Sequence, residues 1–585
     1  MNNTPKASDK QLQNLRHSLA HLLAAAVMEL WPDTKRTIGP SIENGFYFDF
    51  EFSKPVTKAD LPKIEARMRK ILPTWTTFAR HELAPDVAKK EYPGNPYKHE
   101  LIDEFSKKGE KITFYKSGAY WDLCRGGHVA SMNSVASDCF RLTSVAGAYW
   151  RGDEKNPMLT RIYGAAFPTE QELKGFLQRE EEAKKRDHKV LGPKLDLFTF
   201  SDLVGSGLPL WTPKGTLLRD LLDAFVWELR SKAGYERVEI PHITKKELYE
   251  RSGHWEKFKD ELFLITTREK HLFAMKPMNC PHHTQIFARH AWSYRELPQR
   301  YANTTMCYRD EQTGELAGLS RARSFTQDDA HVFCRMAQAK KEFVTVFGIV
   351  KKFYSAFGFT LRIRLSLHDP KHADKYLGDA KRWQQAEKML RDIANEQKAD
   401  FFEGIGEAAF YGPKLDFMAM DSLGREWQVA TIQLDMNMPE RFNLSCTNEN
   451  GKEERIVMIH AAIMGSIERF LSILIEHTAG SFPVWLAPIQ VQIVPVGSRH
   501  TKPSEKLAKE LRDAGIRVDV DDANETVGYK IRKAMKLKIP YLLVIGDKEA
   551  KATKLSVRVR GSDRIRTTAK KRFIEKLRDE IAKRK

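Results

Sequence analysis

The sequence predicts an α+β protein of several domains: a mixed α+β region at the N-terminus, a central block on an antiparallel sheet, and a small C-terminal α/β domain. Three observations carry this reading. A chain of 585 residues is too long for one hydrophobic core. Strand-like runs at 300–308, 324–333, 415–420 and 426–434 dominate the middle, with helical segments between them. From 491 onward strand and helix alternate, at 491–494, 502–514, 517–521, 528–537 and 541–545, which is the rhythm of a small parallel sheet.

Taken in order, Leu12, Leu15, Leu19, Leu22 and Val27 repeat at helical spacing over 11–31, whereas 45–50 (GFYFDF) alternates as a strand does. This region is read as a first domain, 1–167, whose first ten polar residues are expected to fray. Residues 171–190 (QELKGFLQREEEAKKRDHKV) are polar on most helical faces and read as a linker helix, giving a connector at 168–191. The central block then occupies 192–485 and the last domain 486–585. The apolar run at 19–31 superficially resembles a leader sequence, but His21 interrupts it and no cleavage pattern follows. No stretch reaches the ~18 apolar residues that span a bilayer, so no membrane partner is expected.

A hydrophobic share of 42% and a charged share of 30% describe a globular chain and exclude disordered or fibrous classes. The net charge of +19 attracts polyanions, nucleic acid foremost, although a basic surface kept for solubility carries the same signature. Basic residues gather near the end: Lys530, Arg532, Lys533, Lys536 and Lys538, then Arg558, Arg560, Arg564, Arg566, Lys570, Lys571 and Arg572. An RNA-docking module has that pattern. Six cysteines spread over the chain form no disulfide framework and fit a reducing compartment, so the expected location is cytoplasmic.

Three constellations carry chemistry. His17 and His21 lie one helical turn apart, and Cys124-Arg-Gly-Gly-His128 supplies a Cys/His pair around two glycines. Four such donors suit a tetrahedral zinc, while a helical His pair alone is more often one surface and one core residue. The second set is Cys280, set between prolines in MKPMNCPHH, with His331 and His460 far downstream; spacing alone leaves them as ligands or as ordinary structural residues. The third is Tyr308-Arg-Asp-Glu311, a glycine-containing turn, then Arg321 and Phe325. This reads as a hairpin presenting arginines for polyphosphate and an aromatic ring for a purine, or as a hairpin with surface charges. No Walker A pattern and no GxGxxG after a strand occurs, so a nucleotide is held here without a glycine cradle.

On the residues from Tyr308 to Phe325, with Gly465-Ser-Ile-Glu-Arg469 and Val238-Glu-Ile-Pro241, the sequence resembles class II aminoacyl-tRNA synthetases at their motifs 2, 3 and 1. MKPMNCP, SFTQDDAH, AFYGPKLDF and CRGGH are similar to the threonyl-tRNA synthetase family, over nearly the whole chain from about Leu15. The resemblance implies a class II catalytic domain, an N-terminal editing domain, a C-terminal anticodon-binding domain and a homodimer. It also implies that the small ubiquitin-like domain carried by many bacterial members is missing before residue 1.

The implied activity joins L-threonine to tRNA(Thr) with ATP through a threonyl-adenylate, and clears mischarged seryl-tRNA(Thr) by hydrolysis. By the same resemblance Cys280, His331 and His460 hold one Zn2+ per subunit, and Mg2+ accompanies ATP. Arg309 holds the α-phosphate, Glu311 reads the adenine edge, Arg321 meets the γ-phosphate, and Phe325 and Arg469 sandwich the adenine. Asp329 takes the substrate ammonium, with Gln327, Tyr411, Lys414 and Gln433 around it, and His254 serves the transfer step. His17, His21, Cys124 and His128 form the editing site, which in this family works without zinc. Glu549 and Arg558 read the anticodon, supported by Asn524 and Arg532.

Zinc with three protein ligands has open positions that a vicinal amine and hydroxyl can fill. Valine lacks the hydroxyl; serine lacks only a methyl, worth about 1–3 kcal/mol, so a second, hydrolytic site is needed. The chain departs from the family at His282, where glycine is frequent, and at Val429-Ala430, where Cys-Gly is more familiar; motif 3 keeps only Gly465 of the usual glycine pair. Three other readings are a class II synthetase for serine or proline, a zinc hydrolase with a basic tail, and a non-catalytic RNA-binding paralogue. The combined Cys/His sets, the missing HExxH helix and the intact Arg309, Arg321 and Arg469 argue against each in turn.

Overall fold

The computed structural model describes residues 7–133 and 135–584. The chain divides into two compact units, one ending at Glu181 and one beginning at Glu182.

In the first unit the predicted helix runs over Ala7–Leu30, so residues 7–10 are helical rather than frayed; the first six residues lie outside the described part. Leu19, Leu22, Leu23, Ala26 and Val27 are buried against Phe46, Phe48 and Phe50, which explains the apolar run: it is core, not leader. Those phenylalanines belong to Gly45–Glu51, which pairs with Met158–Ala166, itself paired with Phe140–Tyr149, all antiparallel. A separate hairpin, Thr113–Ser117 with Tyr120–Leu123, delivers the chain to Cys124.

The connector differs from the single helix expected over 171–190. One helix spans Glu170–Arg186, and a second spans His188–Lys194. Asp187 leaves helical geometry (φ −48, ψ 122) and its carboxylate caps the second helix by accepting from the Lys189 N–H at 2.8 Å.

An eight-stranded sheet organises the second unit among the described residues, in the order Glu236–Arg237, Gln299–Tyr308, Ser324–Cys334, Val457–Ser466, Glu426–Asp435, Lys414–Met420, Thr360–Leu367, Phe401–Ile405. The six inner strands pair antiparallel, four of them the predicted runs and two, Thr360–Leu367 and Val457–Ser466, not foreseen, while each edge strand joins in parallel. Alternation sorts the residues between faces. Ala330, Val332, Ile459, Ile432 and Leu434 pack under the helices Pro213–Lys232, Met336–Ser355 and Ile467–Thr478, the main core. Their neighbours Gln327, Asp329, His331, His460 and Gln433 face a cavity instead.

A second sheet follows in the same unit. Val518–Val520, Val491–Pro495 and Tyr541–Ile545 are parallel, matching the βαβαβ rhythm; Lys554–Val559 and Ile565–Ala569 then add an antiparallel hairpin, and Lys570–Ala582 is a helix. The basic tail is therefore folded, and part of it has structural work. Lys530 is buried, and the Arg560 guanidinium donates to the carbonyls of Lys538 and Phe482 at 2.6 and 2.7 Å. None of the helices formed by the described residues is long and apolar enough to cross a membrane.

Candidate active site and hydrolytic site

Four strands bring sequence-distant residues into one row. His331 sits directly opposite His460, His460 opposite Gln433, and Gln433 opposite Lys414. Directly opposed residues share a face with Cβ atoms ~5 Å apart, so the pleat gathers His331, His460, Gln433 and Lys414, far apart in sequence, into one wall. Cys280 reaches the same place as the first residue of the helix Cys280–Phe287, with Pro281 in its first turn. The donor atoms of Cys280, His331 and His460 all lie within 4.8 Å of one another, a Cys/His/His group able to hold a metal. His331 Nε2 and His460 Nδ1 face each other at 3.1 Å. The outward nitrogens are engaged: His460 Nε2 lies 3.0 Å from the Asp435 carboxylate and His331 Nδ1 lies 2.8 Å from His283 Nδ1. Such supports fix ring orientation in metal sites. The donor set and its supports fit a zinc ion.

The row opens into a cavity of about 620 Å³ whose walls include His254, Cys280, Arg309, Gln327, Asp329, His331, Tyr411, Lys414, Gln433, His460 and Arg469. The Tyr411 hydroxyl donates to Gln433 Oε1 at 2.7 Å and its ring stacks on His460. The Asp329 carboxylate accepts from Asn279 Nδ2 at 3.1 Å. Lys414 Nζ lies 3.0 Å from the buried carboxylate of Asp416, which also gathers Ser366, Gln428 and Thr431. His254 lies 4.0 Å from the Cys280 thiol and 2.8 Å from Ser252 Oγ, and burial pushes its pKa down to about 4.

Charge is the cavity's distinguishing property. Three interior arginines elsewhere are matched by carboxylates: Arg230 with Asp328, Arg300 with Glu342, Arg364 with Asp416. Arg309 and Arg469 line the cavity, and among the described residues neither has a carboxylate partner. Each rests on an aromatic ring, Arg309 on Phe325 at 5.1 Å and Arg469 on Trp427 at 6.0 Å, and burial lowers the pKa of Arg469. Two unpaired guanidinium groups in a cleft are a site for an anion. Gly465, at φ +68, makes the turn from strand to helix that aims Arg469 inward; Ser466 caps that helix by accepting from the Arg469 N–H.

Glu311, Arg321 and Phe325 do not line the cavity; they sit on the hairpin beside it. Arg309 N donates to Arg323 O at 2.9 Å and closes the loop, and Arg321 is paired with Glu311.

In the first unit the other predicted cluster does assemble. Cys124 Sγ lies 3.3 Å from His128 Nε2 and 3.6 Å from His17 Nε2, and His21 packs edge-on to both imidazoles. His17 Nδ1 meets the Gly127 carbonyl and His128 Nδ1 meets Ser18 Oγ, both at 3.2 Å. The loop needs glycine: Gly126 has φ +97, and a Cβ there would come within 2.5 Å of the Tyr115 hydroxyl. Burial keeps the site uncharged, lowering His17, moving His21 well below its ordinary range and His128 to about 3, and raising Cys124 to about 12. Beneath it lies a cluster that sequence reasoning missed: Asp122, buried, takes Lys98 Nζ at 2.8 Å and the hydroxyls of Tyr92 and Tyr120 at 2.5 and 2.8 Å. Lys98 and Asp122 join His17, His21 and Cys124 in lining a second cavity of about 300 Å³.

The residues expected to read the anticodon or support that reading are spread over the last sheet's surroundings: Asn524 in a loop, Arg532 and Glu549 on helices, and Arg558 on a strand. Asn524 and Arg532 are exposed, Arg532 on the helix Val527–Lys536; Glu549 and Arg558 are half-buried, and Glu549 accepts from Ser556 Oγ, two residues from Arg558 on one strand face.

A helix-backed antiparallel sheet with arginines on its second-motif hairpin and third-motif helix defines the class II aminoacyl-tRNA synthetases, and the family comparisons agree. Residues 263–478 match the class II core domain shared by the glycine, histidine, proline, serine and threonine enzymes. Residues 490–580 match the anticodon binding domain, and 112–163 match the second additional domain of threonyl and alanyl tRNA synthetases. Threonine–tRNA ligase of Rubrobacter xylanophilus is 46% identical over 99% of this chain and 90% of its own length; that of Deinococcus radiodurans is 48% identical over 93% and 85%. A crystal structure titled as the RNA binding domain of threonyl-tRNA synthetase from Cryptosporidium parvum superposes with TM-score 0.64 at 35% identity, covering 67% of this chain and 98% of that one. A prolyl-tRNA synthetase from Giardia lamblia shares the fold at 16% identity, covering 69% of this chain and 80% of its own, with TM-score 0.56. The chain belongs to the threonyl-tRNA synthetase family.

Proposed function

We propose that L-threonine and ATP react in the large cavity, and that the cluster of His17, His21, Cys124 and His128 clears seryl-tRNA(Thr). The chain is a threonine–tRNA ligase with an editing-type domain. The observation that carries the placement is the pair of unmatched cations, Arg309 and Arg469, beside the Cys280, His331 and His460 group.

Arg309 binds the α-phosphate, where the threonine carboxylate attacks in line; Arg321 takes the γ-phosphate and Glu311 the adenine edge. Phe325 and Arg469 bracket the ring once each exchanges its resting contact for the base. This chemistry needs little covalent help, so positioning and charge neutralisation supply the rate. Class II synthetases use Mg2+ with ATP, and it belongs with the pyrophosphate here. Asp329 accepts from the substrate amino group, with Gln327, Tyr411, Lys414 and Gln433 shaping the pocket, and His254 serves transfer to the tRNA. Cys280, His331 and His460 hold one zinc per subunit, which when bound supplies Lewis-acid positions for the amine and side-chain hydroxyl. A hydroxyl test of that kind excludes valine and passes serine.

Serine's passage explains the second site. Its neutral imidazoles and thiol suit an ordered water attacking the seryl ester with help from the RNA's own hydroxyl, and it works without zinc. Glu549 and Arg558 read the anticodon, supported by Asn524 and Arg532. The functional divisions are 1–167, 168–191, 192–485 and 486–585; the chain acts as a cytoplasmic homodimer. ATP–pyrophosphate exchange tests the assignment: threonine is preferred over serine, and a preference for serine contradicts it.

A further inference from the structure

Residue 188 opens the second connector helix, and its buried imidazole uses both ring nitrogens. The backbone N–H of Leu319 donates to His188 Nε2 at 3.1 Å, so that nitrogen is unprotonated. Nδ1 therefore carries the proton and donates to Glu476 Oε1 at 2.6 Å, and the His188 N–H reaches the same oxygen at 3.2 Å. The other Glu476 oxygen takes Arg425 at 2.7 Å. The Asp187, His188 and Glu476 donors lie close enough to suggest a metal, but both ring nitrogens already have partners.

The two anchored elements are the ones that present nucleotide-binding side chains. Leu319 and Ala322 are the two buried residues of the loop 309–323, which carries Glu311 and Arg321. Gly318, at φ +59, lies so close that a Cβ would meet His188 Nε2 at 2.5 Å. Glu476 lies on the helix Ile467–Thr478, which carries Arg469. We propose that His188 is a positioning residue for ATP: it pins the crest of the 309–323 loop to the helix of Arg469 and so sets the spacing between the groups that grip the nucleotide. This rests on the placement of ATP proposed above.

The test is pyrophosphate exchange with ATP and threonine varied separately. His188→Ala raises KM for ATP about tenfold, the order expected when one buried hydrogen bond is lost, and leaves KM for threonine within about twofold. His188→Gln keeps an acceptor within reach of the Leu319 N–H and restores most of the ATP affinity. His188→Asn, too short for that N–H, behaves as alanine does. Equal changes in both KM values, no change in either, rescue by asparagine as good as by glutamine, or a glutamine variant that fails to fold would each overturn the proposal. Arg309→Ala, run alongside, separates the two claims: if it too leaves ATP use intact, the placement of ATP fails; if it alone impairs ATP use, only the role of His188 fails.

Discussion

Arg321 closes on Glu311 across the loop of the hairpin, its Nε and Nη2 lying 2.7 and 2.6 Å from one carboxylate oxygen. Both side chains are proposed to bind ATP, one at each end, so the pair parts when the nucleotide enters. Arg321 is half exposed, and an exposed ion pair contributes only ~0–1 kcal/mol, so parting costs little. Arg321→Ala is expected to raise KM for ATP about tenfold with little change in melting temperature. Steady-state kinetics with ATP varied checks this; an unchanged KM removes Arg321 from the site.

Arg309 and Arg469 face the cavity without carboxylate partners, and transition-state charge is where such groups act. Replacing either by alanine is expected to lower the rate of adenylate formation by about 10²–10³. Lysine at 309 restores little, because an ammonium cannot make the planar two-point contact of a guanidinium. Single-turnover adenylate formation measures both.

The proposed editing cluster predicts an unusual pH profile. With His128 near 3, His21 well below its ordinary range and Cys124 near 12, these groups stay neutral as pH rises or falls between about 6 and 8. Protonation of the imidazoles begins only as pH falls toward the lowered values. Seryl-tRNA deacylation is therefore expected to show no titration of His21 or His128 in that window, and the titration of His17 is displaced below its ordinary value. Loss of deacylation centred on pH 6.5 contradicts this. His21→Ala is expected to abolish deacylation and preserve threonylation.

Much of the catalytic sheet was legible because strand alternation is written locally: Phe325, Gln327, Asp329 and His331 follow period 2, and the hairpin register places them on one face. What remained hidden depends on pairing at long range. Strand spacing alone does not set Lys414 and Gln433 in a row with His331 and His460; only the family resemblance places them near one pocket. Nothing in the sequence pairs Lys98 with Asp122, which burial brings together, and Asp187 sits mid-pattern in a polar helix where a cap leaves no periodic signal. The strands Lys554–Val559 and Ile565–Ala569 were masked by their basic residues, which read in sequence as an RNA-docking patch.

Asp328 shows the cost of the opposite strand face. Fully buried, it holds Arg230 and accepts from the N–H groups of Ile463 and Met464 at 2.9 Å each. Asp328→Ala orphans one buried cation and two backbone donors, and is expected to destabilise the second unit by about 3–5 kcal/mol. A shift of its urea midpoint reads this out; an unshifted midpoint contradicts it.

The most direct test joins metal content to activation. Threonine-dependent ATP–pyrophosphate exchange and zinc are measured on the same preparations of the unaltered chain and of Cys280→Ser. The expected result is one zinc per subunit with exchange in the first, and loss of both in the second. Exchange that survives the loss of metal would contradict a hydroxyl-sensing zinc at Cys280, His331 and His460.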